Sequence, residues 1–375
     1  MSLFLLTFFT IYGGVHVYAY LKIRNAFSPG HVPSVLLGLF MVLMIVAPVL
    51  VRVLEQGGYE FVARVAAWLG YIWMALAFLF FCSSLAADVI NGSSVLIRML
   101  IGYGARHGLI SHKAAVIASM LLSLIIGVYG YFEARDVLVE RLVIRTDKIP
   151  SDKIRIVQIS DLHLGLIVRA ERLGKIIDII KAEDPDILVS TGDLVDAQIN
   201  HLPGLSEMLR GVSARYGKLA ITGNHEYYAG IDRALLFIKD SGFNVLRSGA
   251  VYTGGISVVG FDDPAGIQMG MDKRPDEAAV FSGLPKDRFR LVLRHRPVIG
   301  QHTEGRFDLQ LSGHTHKGQI FPFGYLSALS YPMNAGRFLL EGGSMLYVSR
   351  GTGTWGPPIR FLSPPEVTVI DLVRK

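Results

Sequence analysis

Five short clusters of metal-ligand residue types occur in the second half of the chain, each directly after an apolar segment. Their side chains offer carboxylate, imidazole and amide donors, which suit manganese, iron or zinc better than calcium. The single cysteine, Cys82, excludes a structural zinc site built from cysteines. The clusters are Asp161-Leu162-His163, Gly192-Asp193-Leu194-Val195-Asp196, Gly223-Asn224-His225-Glu226, His295 and Gly313-His314-Thr315-His316.

The spacing within these clusters predicts how they share metal ions. Asp161 and His163 stand two residues apart, which in an extended segment places both side chains on one side, so we expect them to bind one ion together. His314 and His316 are expected to reach two neighbouring ions, with Asp193 as a bridge. Two ions about 3.5–4 Å apart can hold a hydroxide and a phosphoryl oxygen for in-line attack. The predicted ligands are Asp161, His163, Asp193, Asn224, His295, His314 and His316.

The apolar segments before the clusters are predicted strands that alternate with helices. Alternation of this kind predicts an α/β domain, in which ligand sites collect at the carboxyl ends of strands. Each cluster alone is also explained by a helix N-cap or a turn, but five in succession are poorly explained in that way. The predicted strands are 154–160, 186–191, 218–222, 289–294 and 307–311, and the predicted helices are 170–183, one near 202–210, and 233–241.

The charge distribution divides the chain into two parts. Residues 1–132 contain seven Lys/Arg and three Asp/Glu, whereas residues 133–375 contain thirty and twenty-eight. This contrast excludes a wholly soluble protein. The absence of low-complexity segments excludes a disordered one, and the single cysteine excludes a disulfide-stapled one. The net charge of +6 is not concentrated in a basic stripe, so we expect no nucleic-acid partner.

The first part is predicted to be a transmembrane region of four helices. Its four apolar runs contain no Asp, Glu, Lys or Arg, and each is long enough to cross a bilayer. A cleaved signal peptide is the alternative for the first run, but that run lacks a positively charged start. The predicted helices are about 1–21, 34–51, 65–87 and 114–132, followed by a linker and first strand at 133–153 and a catalytic domain at 154–375.

Loop charges predict the orientation of this multi-pass membrane protein. Five basic residues follow the first and third runs, and four lie near the membrane on the opposite side. Because the N-terminal tail is uncharged, the positive-inside rule favours a catalytic domain outside the cytoplasm.

The motifs D-x-H, G-D-x-x-D, G-N-H-E, a strand-terminal histidine and G-H-T-H, in this order, resemble the calcineurin-like metallophosphoesterase family over residues 154–372. The stretches 313–320 and 347–354 and the segment 358–366 are similar to its membrane-attached bacterial branch, which indicates a bacterial inner or plasma membrane. That branch usually has glycine where Lys317 stands.

The resemblance implies a four-layer αββα fold with two sheets between helices. It also implies a metal-dependent phosphoesterase in which His225 protonates the leaving oxygen or steadies the transition state; a hydrogen bond from His225 to a ligand is the alternative. The implied ligands are Asp161, His163, Asp193 and His316 for one divalent ion, and Asp193, Asn224, His295 and His314 for the other.

The substrate follows from the membrane region. The chain between Phe132 and Asp161 is short, so we expect the metal centre near the bilayer and a lipid phosphate, phosphodiester or lipid-linked pyrophosphate as substrate. Residues 320–326 are expected to line an acyl-chain groove, touch the interface or pack beneath a loop. Arg350 and Arg360 are candidate phosphate ligands.

Three other functions remain open. The spans can be a simple anchor for an enzyme that acts on soluble nucleotide or sugar phosphates. A non-catalytic scaffold is disfavoured because none of the expected metal ligands is missing. A transporter is disfavoured because the predicted spans contain no charged residues. The sequence gives no indication of oligomeric state.

Overall fold

The computed structural model describes residues 2–102, 108–196, 202 and 204–375. Within these ranges the chain forms eleven α-helices and twelve β-strands. It divides into two compact units, of which the first comprises Met1–Phe132 with Gly356–Ile359 and the second Glu133–Trp355 with Arg360–Lys375.

The first unit is helical. Among the described residues three of its helices, α2 to α4, are long and apolar enough to cross a membrane, so the prediction of four spans was wrong. Residues 2–21 of the first predicted run lie in a helix, α1, which is not one of these three. The helices are α1 Ser2–Phe27, α2 His31–Gln56, α3 Glu60–Leu100 and α4 His112–Glu133.

The second unit contains two six-stranded sheets. In the first, the order is β1-β12-β2-β3-β4-β5, with β12 and β2 antiparallel and all other neighbours parallel. This sheet carries the first three ligand clusters. Its strands are β1 Leu138–Arg145, β2 Lys153–Ile159, β3 Ile187–Ser190, β4 Lys218–Ala220, β5 Asn244–Val245 and β12 Glu366–Val373.

The second sheet carries the remaining two clusters. Its order is β10-β11-β9-β8-β7-β6, with antiparallel pairs only at the two edges. Its strands are β6 Gly249–Thr253, β7 Ile256–Phe261, β8 Arg290–Arg294, β9 Leu309–Ser312, β10 Gly336–Leu339 and β11 Met345–Val348.

The main core lies between the sheets, because every central strand presents β-branched and leucine side chains to the facing sheet. Ile156 and Ile187 of the first sheet share one buried cluster with Val258, Leu291 and Leu309 of the second. Two further clusters of buried apolar side chains lie on the outer faces of the two sheets. The helices of this unit are α5 Ala170–Glu183, α6 Leu205–Arg210, α7 Asn224–Ala229, α8 Ile231–Asp240, α9 Ala265–Gln268, α10 Glu277–Ser282 and α11 Phe323–Ser330.

Candidate metal centre

The five ligand clusters meet in space. Each follows a central parallel strand: β2, β3 and β4 in the first sheet, β8 and β9 in the second. Carboxyl ends of parallel strands share one edge of a sheet, and the two sheets face each other across the core, so both edges converge on one buried site. Three groups of side chains there are close enough to hold a metal ion: Asp161, His163 and His316; His163, Asp193 and His225; and Asp193, His295 and His314.

The backbone at this site is left-handed rather than extended. Positive φ is rare in residues other than glycine and is concentrated at functional sites, because surrounding structure must impose it. The expected strand-like alternation at Asp161 and His163 was therefore wrong, although the two side chains do converge. The φ angles are 54° at Asp161, 50° at His163, 51° at Asp193, 72° at His314 and 48° at His316.

His295 is oriented so that its Nε2 atom faces only potential metal ligands. Its Nδ1–H donates to the backbone oxygen of Thr191 at 2.8 Å, which leaves the lone pair on Nε2. This Nε2 lies 3.2 Å from Asp193 Oδ2 and 3.2 Å from Asn224 Oδ1. His314 Nδ1 is 3.1 Å away.

A second set of donor atoms surrounds His163 Nε2. This atom lies 3.2 Å from His316 Nε2 and 3.8 Å from Asp193 Oδ2, and His316 Nε2 is 3.5 Å from Asp161 Oδ1. The same Asp193 oxygen is thus near both His163 and His295, the position required of a bridging ligand. In the described residues, His163 Nδ1 is buried without a hydrogen-bond partner.

These two sets fit divalent metal ions. Donor atoms held about 2.0–2.2 Å from one ion lie roughly 3.0–3.5 Å from each other, which matches the distances in both sets except the 3.8 Å between His163 and Asp193. Without a cation, the lone pairs of these nitrogen and oxygen atoms would face one another in a buried site. Their mutual repulsion would cost electrostatic energy. Nitrogen and oxygen donors without thiolates suit manganese, iron or zinc.

The charges in the site act on its histidines in opposite directions. Burial, together with the neighbouring His225, lowers the pKa of His163 to about 4. Burial also acts to lower the pKa of His295, but the Asp193 carboxylate outweighs it and raises that pKa to about 10. A cation beside Asp193 is therefore strongly favoured, whether it is a proton or a metal ion.

His225 is buried beside the cluster, in one group with His163 and Asp193. Its Nδ1 lies 3.0 Å from Asp196 Oδ1, so a proton on Nδ1 is donated to this carboxylate and Nε2 is the free atom. Burial acts to lower the pKa of His225, but Asp193 and Asp196 raise it to about 9. The rings of Tyr228 and Trp355 lie 5.4 and 6.2 Å from the imidazole and form aromatic walls.

Glu226 connects the loop after β3 to the loop after β4 through hydrogen bonds, a role that the sequence analysis did not predict. Its buried carboxylate accepts hydrogen bonds from the backbone N–H groups of Asp193 and Gly223 at 3.0 and 2.6 Å. It also accepts from Leu194 at 2.8 Å and Val195 at 3.3 Å. The signal was present in Gly-Asn-His-Glu, since glutamate three residues after an N-cap position is a capping pattern.

The two arginines predicted to bind phosphate are held by partners within the protein, and Arg360 Nη2 lies 3.1 Å from Nδ1 of the proposed ligand His316. Arg360 is fully buried and donates to the backbone oxygens of Arg350, Gly353 and Ser363. Arg350 pairs with Glu140 at 2.6 Å and with Glu366 at 2.9 Å. This placement does not favour a phosphate-binding role for either residue.

Comparison with known proteins assigns the family. Residues 154–318 match the sequence profile of the calcineurin-like phosphoesterases. A metallophosphoesterase of Aquifex aeolicus is 38% identical over 259 residues, which cover 68% of this chain and 99% of that relative.

Two other relatives are longer than the aligned region. A metallophosphoesterase of Campylobacter jejuni is 35% identical, over 59% of this chain and 60% of its own length. A Danio rerio protein named as a transmembrane protein with a metallophosphoesterase domain is 30% identical, over 70% of this chain and 63% of its own length. The chain thus spans about three fifths of these two relatives. With the Aquifex relative covered almost completely, the chain belongs to the calcineurin-like metallophosphoesterases and is a phosphoester hydrolase.

Proposed function

We propose that this protein is a membrane-anchored, dinuclear metal-dependent phosphoesterase that hydrolyses a lipid phosphate, phosphodiester or lipid-linked pyrophosphate. The observation that carries the dinuclear assignment is the position of Asp193 Oδ2, which lies 3.2 Å from His295 Nε2 and 3.8 Å from His163 Nε2. One carboxylate oxygen between two sets of donors is the arrangement of a shared bridging ligand.

The proposed ligand sets follow the two groups of distances. Divalent ions, when bound, supply an activated water and neutralise charge on the phosphoryl group. We assign Asp161, His163, Asp193 and His316 to one ion, and Asp193, Asn224, His295 and His314 to the other.

His225 is the proposed proton donor to the leaving oxygen. Its Nε2 atom is free because Nδ1 is held by Asp196, and Asp196 keeps the ring oriented and stabilises its protonated form. Tyr228 and Trp355 border the space in front of this ring, so we assign them to contacts with the leaving group. Aromatic walls of this kind favour an apolar or ring-bearing leaving group.

A chain of two hydrogen bonds supports a lipid-linked substrate. Glu133, the last residue of α4, accepts from the backbone N–H of Ser363 at 2.8 Å. The Ser363 hydroxyl in turn donates to the backbone oxygen of His316 at 2.7 Å. Because the chain from Phe132 to Asp161 is short, a phosphate in the headgroup layer would be within reach of the metal centre.

A substrate panel tests the proposal. The full-length chain, purified in detergent with Mn²⁺, is assayed on phosphatidyl, undecaprenyl and acylated-sugar phosphates, each paired with a soluble analogue that has the same phosphate linkage. We expect kcat/KM at least about tenfold higher for the lipid member of one pair, a difference of about 1.4 kcal/mol. Equal or higher values for soluble nucleotide or sugar phosphates would identify the spans as a simple anchor.

The orientation has its own test. We propose that the catalytic unit lies outside the cytoplasm, since Lys22, Arg24, Arg98 and Lys113 flank the opposite ends of α1, α3 and α4. An alkaline phosphatase reporter fused after Lys375 should be active in cells. If the alkaline phosphatase fusion is inactive and a green fluorescent protein fused at the same position is fluorescent, the catalytic unit lies in the cytoplasm.

A further inference from the structure

The helix α11 and the residues before it expose an apolar surface in the second unit. None of the residues of α11 is buried, although the sequence of this helix is largely apolar. The exposed large side chains here, which we call the α11 patch, are Phe321, Phe323, Tyr325, Leu326 and Leu329. Clusters of this kind on a folded domain mark an interaction surface.

The chain segment that contains the α11 patch carries only basic charges. Residues 309–340 contain no Asp or Glu, while Lys317 and Arg337 are both exposed. Aromatic and leucine side chains with a basic rim are typical of surfaces that lie in the headgroup layer of an anionic membrane. The same charges disfavour a second copy of this chain, because a twofold contact through the patch would bring like charges together.

The patch is linked by hydrogen bonds to Glu133, the first residue of the second unit. Phe321 donates its backbone N–H to Phe361 at 3.0 Å, and the two rings lie 6.4 Å apart. The next two residues, Leu362 and Ser363, donate their backbone N–H groups to Glu133, the last residue of α4. Glu133 directly follows Phe132, the last residue of the first predicted region in the sequence.

The patch is also connected to the candidate metal centre. The side chain of Gln319 donates to the backbone oxygen of Trp355 and accepts from its N–H, both at 2.9 Å. The half-exposed Trp355 ring lies 6.2 Å from His225. Gln319 and Trp355 thus connect the patch to the proposed proton donor.

We propose that the α11 patch is a membrane-docking surface that lies in the headgroup layer of an anionic bilayer and receives the lipid-linked phosphate there. The delivery of substrate rests on the proposed function, whereas the contact with lipid does not. Lys317 and Arg337 would bind lipid phosphates at the rim, and Trp355 would guide the substrate headgroup to His225.

A fluorescent label measures the contact directly. In a Cys82→Ala background, Leu329→Cys is labelled with an environment-sensitive dye and the full-length chain is placed in nanodiscs of phosphatidylethanolamine and phosphatidylglycerol. Leu236→Cys on α8 is the matched control, since both leucines are exposed, by 81% and 60%. We expect blue-shifted emission and quenching by headgroup-level nitroxide lipids at position 329 only. Equal, water-like emission at both positions would overturn the proposal. It would also be overturned if the label at position 329 were shielded from water in discs that hold two copies of the chain but not in discs that hold one.

A kinetic test separates docking from catalysis. The variant Leu326→Glu with Leu329→Glu should raise KM for the lipid-linked substrate at least about tenfold, because it removes two large apolar side chains from the contact. Hydrolysis of a soluble aryl phosphodiester should be unchanged, as should both activities of Leu236→Glu. An unchanged KM for the lipid substrate would overturn the delivery role. If the label at 329 reports lipid but the wild type hydrolyses no lipid, docking stands and the proposed lipid substrate fails.

Discussion

Replacing Glu226 by glutamine tests how the ligand loops are held. The Glu226 carboxylate accepts four backbone N–H groups, two on each oxygen. Glutamine keeps the size and one acceptor oxygen, but places an NH₂ group against two of these donors. The substitution therefore leaves two buried N–H groups without acceptors while it preserves the packing.

The expected loss follows from those two groups. An unsatisfied buried N–H costs about 1–3 kcal/mol, so Glu226→Gln should lower the free energy of unfolding by about 2–6 kcal/mol. For a domain of 150–250 residues, about 1 kcal/mol corresponds to a Tm change of 2–4 °C, so Tm should fall by at least about 4 °C. Because Asp193 is one of the donors, Mn²⁺ affinity should also fall by about 10–100-fold.

Thermal unfolding of the full-length chain in detergent, without metal, measures the first effect. The matched control is Glu171→Gln, since Glu171 is an exposed residue of α5 that pairs with Lys175 at the surface. That change should shift stability by less than about 0.5 kcal/mol. If Glu226→Gln melts at the same temperature as the control, the carboxylate does not hold the loops and the reasoning is refuted.

Three other predictions follow from the site. His225→Ala should lower kcat on a soluble aryl phosphodiester by about 10²–10⁴-fold with metal content unchanged, and a loss below tenfold would contradict the role of proton donor. Since the pKa of His295 is raised to about 10 in the metal-free chain, Mn²⁺ must displace a proton at neutral pH, so affinity should rise with pH and calorimetry should detect proton release; heats independent of the buffer would contradict this. Arg360→Lys should lower Tm, because an ammonium cannot replace the fork of donors on three backbone oxygens, and an unchanged Tm with weaker substrate binding would restore the phosphate-binding role.

The sequence predicted the parts of the fold that local pattern determines. The helix predicted at 170–183 is α5, with identical bounds, because its apolar residues repeat at helical spacing and face the core. The strands before the clusters were also predicted to within a few residues. All eight predicted ligand and acid residues lie in or beside the three groups of side chains that can hold metal.

The parts that were missed depend on contacts between distant segments. The left-handed backbone at Asp161 and His163 is imposed by the surrounding loops. The spacing of these residues in the sequence does not indicate it. Arg360 looked like a surface phosphate ligand, because its burial is produced by backbone oxygens that surround it only after folding. The sequence did not indicate the helix α11, and it left open whether residues 320–326 touch the interface or pack beneath a loop, since a short apolar run is compatible with both.

Metal content is the most direct measurement of the central claim, that seven side chains hold two divalent ions bridged by Asp193. Elemental analysis of the purified full-length chain, with anomalous scattering to locate the ions, should give two transition-metal ions per chain at these side chains. Asp193→Ala should lose metal together with phosphodiester hydrolysis. A wild-type chain that hydrolyses phosphodiesters without metal, or an Asp193→Ala variant that retains full metal content and full turnover, would contradict the account.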